Sequence, residues 1–163
     1  MALSLRESVL SSGRLPRNDD VVLSRAELLA PVDRDLIEAV FIRGQSTRSL
    51  ARLMGLTPRG VRDRVNRLTR RMGSRKFIDA ARSLPYLSAE DAEIAKLRFC
   101  QGVRLRGLRE KFDVTEHAIR RRLDRVEAEI RAINRMTRKS ARQVARAYRE
   151  FWDGPAEAGA IGV

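Results

Sequence analysis

The sequence predicts an all-α protein: two tandem trihelical helix-turn-helix units followed by a C-terminal basic helix. Three observations carry that expectation: an ungapped internal repeat, apolar positions recurring every three or four residues, and arginine on the opposite helical faces. Sliding the chain against itself by 58 residues places Asp33 on Asp91, Leu36 on Ile94, Phe41 on Phe99, Gly44 on Gly102 and Leu50 on Leu108. The same offset puts Thr57 on Thr115, Val61 on Ile119, Arg62 on Arg120, Arg64 on Arg122, Val65 on Leu123 and Arg67 on Arg125. A gapless match that keeps a glycine, a threonine and three arginines, beyond mere apolarity, points to duplication of one unit.

Residues 1–23, with Gly13, Pro16 and Asn18 to Asp20, read as a flexible N-terminal segment. The first unit is expected over 24–75, opened by Ser24 and Glu27 as a capping pair. Pro31 suits a first helical turn, and Leu36, Ile37, Val40 and Phe41 form an apolar stripe ending at Gly44. Ser49 to Met54 form a short second helix, Gly55 the turn, and Thr57 the cap of a third helix that begins at Pro58. Val61, Val65, Leu68 and Met72 then share one face of that helix.

Residues 76–87 read as a linker helix and turn closed by Leu84 and Pro85, and 88–134 as the second unit. Ser88 and Asp91 form its capping pair, Ile94, Leu97 and Phe99 its first stripe, and Gly102 the break. Its third helix follows Thr115 and buries Ile119, Leu123, Val126, Ile130 and Ile133. After Asn134, Thr137 is expected to cap a separate basic helix over 135–153, with 154–163 a disordered tail.

The chain has 163 residues and a formal net charge of +13, which calls for a polyanionic partner, either nucleic acid or an acidic membrane surface. Of the 34 basic residues, only Lys76, Lys96, Lys111 and Lys139 are lysine, and guanidinium groups suit bidentate phosphate and guanine contacts. An arginine-biased composition gives the same excess. Cys100 has no disulfide partner and His117 is the lone histidine, so a reducing cytoplasm is expected, and no metal or other cofactor. No apolar run reaches the ~20 residues a membrane span needs, and no secretory leader is recognised. Nor is there a glycine-rich phosphate loop or a nucleophile beside a histidine, so an enzyme is not expected.

A short helix with a small residue inside it, a tight turn and a second helix form a pair in which one helix braces the other in the DNA major groove. Ala51 is that small residue. The following helix offers Thr57, Arg59, Arg62, Asp63 and Asn66 away from its apolar stripe, where arginine can pair with guanine and asparagine with adenine. Arg64 and Arg67 are expected on phosphates. The second unit offers Thr115, His117, Arg120, Arg121, Arg122, Asp124 and Arg125 at matching places.

The run Leu50-Ala51-x-x-Met54-Gly55-Leu56-Thr57, with Val61-Arg62-x-Arg64-Val65-x-Arg67 after it, resembles the fourth conserved region of bacterial RNA polymerase sigma factors. That region recognises an upstream promoter element. The second copy keeps Ile119-Arg120-x-Arg122-Leu123-x-Arg125 but has Arg109 in place of the small residue and Asp113 in place of the turn glycine. The resemblance covers about 31–72 and 89–131 and implies a transcription regulator that binds double-stranded DNA, RNA polymerase or both. The segment before the first unit is too short for the module with which sigma factors melt promoters, so an initiating sigma factor is not expected. The competing readings are a helical adaptor that grips RNA polymerase or a sigma factor, and a small subunit of a phage DNA-packaging machine. Oligomeric state stays open.

Overall fold

A computed structural model of the protein describes residues 19–152, with the side chains of 19 and 150–152 outside the description. The described residues are all-α, without strands. The helices are α1 (Asp19–Ala26), α2 (Pro31–Phe41), α3 (Thr47–Met54), α4 (Pro58–Met72), α5 (Arg75–Ser83), α6 (Ala89–Ala95), α7 (Leu105–Phe112) and α8 (Glu116–Trp152). A 3-10 turn (Leu84–Tyr86) joins α5 to α6, and a π-type turn (Lys96–Cys100) follows α6.

The internal repeat is visible in the backbone. Leu56 N–H donates to Ala51 O and Val114 N–H to Arg109 O; Gln45 donates to Ala39 and Val103 to Leu97; Arg43 donates to Glu38 and Gln101 to Lys96. Each pair is offset by 58 residues. Gly44 and Gly102 both take left-handed φ (60° and 72°), as do Gly55 (62°) and Asp113 (48°). Thr57 Oγ1 accepts Gly60 N–H at 3.0 Å, and Thr115 Oγ1 accepts Ala118 N–H at 3.2 Å. Ser88 caps α6 by accepting Asp91 N–H, as its spacing suggests.

The repeat also reaches further than the sequence reading allowed. The same offset carries α1 onto Phe77–Leu84, within and just after α5; Val22 and Ala80 are both fully buried, and Leu29 N–H donates to Ala26 O as Leu87 N–H does to Leu84 O. The segment 76–87, expected as a linker helix and turn, is a helix closed by a 3-10 turn, and the repeat offset also makes it the counterpart of α1. It is anchored by fully buried Phe77 and by Asn134, whose Nδ2 lies 3.0 Å from Asp79 O and 2.9 Å from Ser83 Oγ. Ser74, just before it, supplies the cap by accepting Phe77 N–H.

Two further expectations are corrected. Ser24 and Glu27 do not open a helix: α1 already spans Asp19–Ala26 with Val22 in the core, and Ser24 Oγ donates to Val21 O within it. Residues 19–23, expected to be flexible, belong to this helix. Nor does a new helix begin at Thr137. From Ala118 to Trp152 the sequence has neither glycine nor proline, and α8 runs unbroken for 37 residues, about 55 Å. The Thr137 hydroxyl donates back to Ile133 O, a bond compatible with continued helix. The expectations for residues 1–18 and 153–163 lie outside the described residues.

The core is continuous across both copies, from Val22 and Ile37 through Val61, Val65 and Met72 to Ile94, Leu108, Ile119 and Val126. Arg71 ties the copies together, its Nη1 donating to Gln101 O at 2.6 Å. Cys100 is buried, and burial pushes its thiol up to about 11 against the opposing pull of Lys96 and Arg71.

Candidate nucleic-acid interface

In the first copy, α3 rests on the core through Leu50 and Ala51. Its C-cap Gly55 adopts φ 62°, ψ 30°, and two residues later Thr57 caps α4, so only residues 55–57 separate the two helices. Proline at the first position of α4 costs no hydrogen bond there. Val61, Val65, Leu68 and Met72 face inward, which leaves Arg59, Arg62, Asp63 and Arg67 exposed and Asn66 half-buried. Arg59 lies 3.9 Å from Asp63, but with side chains 90% and 62% exposed this contact holds neither in place. Arg62 and Arg67 have no ion pair among the described residues. Arg48 and Arg52 add two exposed cations on α3 that the sequence reading did not single out.

Arg64 is placed differently from its expected phosphate contact. Its Nε and Nη2 both donate to Asp33 Oδ1, at 2.9 and 2.7 Å, and this half-buried fork braces α4 against α2. The second copy repeats the brace with a shifted partner. Arg125 Nη2 donates to Asp91 Oδ1 at 2.8 Å, and Arg122 pairs with Glu90. Burial raises the Asp91 carboxyl, but the hydrogen bonds from Arg125 and Ser88 and the charges of Arg125 and Arg122 outweigh it and hold the group below its ordinary range. Arg125 is correspondingly raised, chiefly by its hydrogen bond to Asp91. The signal for these braces lay in the sequence: an aspartate and an arginine that both recur at the repeat offset are candidates for contact with each other.

The rest of the second face is also more neutralised. Arg120 pairs with Glu116, Arg106 with Glu110 at 2.8 Å, and Lys111 with Glu93 at 2.6 Å. His117, Arg121 and Asp124 are exposed, and Thr115 is occupied as the cap of α8. Of the expected contacts, α4 thus gathers Arg59, Arg62, Asp63, Asn66 and Arg67 on one open face, whereas Arg64, Arg122 and Arg125 are paired with the carboxylates of Asp33, Glu90 and Asp91.

Compared with protein-family models, curated proteins and solved structures, the chain finds no match. Among the described residues no helix is long and apolar enough to cross a membrane.

Proposed function

We propose that this chain is a sequence-reading, double-stranded-DNA-binding protein and not an enzyme. Within that class we read it as a transcription regulator built like the promoter-reading region of sigma factors, in two copies and without promoter-melting chemistry. The observation that carries this is the α3–α4 pair: a left-handed glycine turn, a threonine cap, and Arg59, Arg62 and Asn66 on the outward side of the first turns of α4, opposite a fully buried stripe. A helix so presented can enter a major groove and offer guanidinium and amide groups to base edges. We read the second copy as a second, weaker contact of a bipartite site, because Arg122 and Arg125 are already engaged by Glu90 and Asp91.

Selection from a random duplex pool, with the bound fraction sequenced, tests this. The wild type should enrich a motif, and Arg62→Ala should blur one position of it at a cost of about 1–3 kcal/mol. Arg120→Ala should have the smaller effect, since Glu116 already engages that guanidinium. If the wild type enriches no motif, the sequence-reading proposal fails and a polymerase-binding adaptor takes its place.

A further inference from the structure

Asn134 is the last residue of α8 that is buried against α5; from Arg135 to Arg149 every residue is exposed. At 100° per residue, Arg135, Arg138, Lys139, Arg142, Arg146 and Arg149 fall within a stripe about 100° wide. No carboxylate interrupts residues 135–149, whereas Glu116, Asp124, Glu127 and Glu129 dilute the cations earlier on the same helix. Like charges three, four and seven residues apart repel, so this part of the helix is stabilised by a polyanion. The placement is also directional. Arg135 and Arg138 lie 18 residues, about five turns, beyond His117 and Arg120, so the stripe prolongs the outward face of the second copy in a straight line. Arg138 Nη2 lies 3.5 Å from Asp79 Oδ1, which steadies the start of the stripe on the folded body.

We propose that this stripe is a second nucleic-acid surface, which grips the phosphates of duplex DNA beside the sequence read by α4 and carries no sequence preference itself. The proposal rests on the DNA-binding reading above. The cations run for about 21 Å, close to the rise of six base pairs, and guanidinium groups fork onto phosphate oxygens. Met136, Val144 and Tyr148 are exposed and lie outside this stripe.

The test uses the full chain with Arg135, Arg142, Arg146 and Arg149 replaced by glutamine, Arg138 being kept for Asp79. Binding to duplex is measured across salt concentrations, together with hydroxyl-radical footprinting on the enriched sequence. The slope of log K against log salt should shrink by about 3.6, at roughly 0.9 per lost phosphate contact. The footprint should shorten by about six base pairs at one flank while the motif persists. The corresponding Arg→Lys variant should keep the slope. A double Arg142→Gln, Arg146→Gln variant should lose about half as much and serves if the fourfold variant fails to fold. An unchanged slope and footprint with the motif intact overturns the stripe alone. Should the wild type show no salt-dependent duplex affinity, binding instead anionic vesicles or an acidic protein, both this inference and the DNA-binding reading fall.

Discussion

The two copies share a backbone and differ in surface. Turn hydrogen bonds, left-handed residues and threonine caps recur residue for residue, yet the outward positions have diverged. Arg52, Pro58, Arg59 and Asn66 of the first copy correspond to Glu110, Glu116, His117 and Asp124 of the second. The first face keeps open guanidinium groups, whereas the second turns most of its cations onto its own carboxylates. Core and turn positions are therefore enough to hold the fold, and they leave the exposed positions free to specialise.

The largest expected effect tests whether that shared core is one body. Leu50 and Leu108 occupy equivalent places on α3 and α7, 4% and 0% exposed. Leu50→Ala and Leu108→Ala should each cost about 3 kcal/mol by loss of burial and creation of a cavity. Since Arg71 and the continuous core link the copies, both substitutions should shift one and the same urea transition. Two separate transitions, each moved by only one substitution, would split the molecule into independent halves.

Much of this architecture was legible in the sequence because periodicity and caps are local. The stripe through Val61, Val65, Leu68 and Met72, the Gly55 turn and the Thr57 and Ser88 caps all stand where spacing places them. The helix and turn over 76–87 are legible, but their correspondence to α1 is not, because α5 shares only small or dissimilar residues with α1, Ala80 opposite Val22 and Phe77 opposite Asp19, and it is burial of Ala80 and Phe77 that relates the two. The continuity of α8 was missed for the opposite reason. A threonine after an asparagine looks like a cap, but Asn134 spends its amide on α5 and Thr137 bonds backward. At the candidate site, exposure of Arg59 and Arg62 follows from helical phase alone. The diversion of Arg64 to Asp33 depends on two segments meeting, which spacing within one helix does not report.

The braces set the next comparison. Asp91 is buried and Asp33 only half-buried, so Asp91→Asn should cost about 2 kcal/mol and Asp33→Asn about 1 kcal/mol. The Asp91 carboxyl is held below its unfolded value, so its contribution is complete above the ordinary carboxylate range and is lost as pH falls through the depressed folded value. Urea melts at pH 7 and at about pH 3 should therefore show the gap between wild type and Asp91→Asn narrowing in acid. A gap that stays constant across that range would mean that the ionised brace is not what stabilises the second copy.

The smallest expected effect lies in the turn, where the copies exchange glycine for aspartate without changing shape. A Cβ placed on Gly55 meets no atom within 4 Å, so Gly55→Ala should cost only the left-handed backbone term, about 1 kcal/mol. Asp113 already bears that strain, and Asp113→Gly should return a few tenths of a kcal/mol, reduced by the extra freedom of glycine in the unfolded chain. Thermal melts read both changes, and equal and opposite shifts would mean that the turn is energetically interchangeable between copies. A loss of DNA affinity in Gly55→Ala greater than its loss of stability, with none in Asp113→Gly, would instead place the difference in function. On the proposed reading, the first turn must hold Arg59 and Arg62 at a groove, whereas the second positions only the weaker contact.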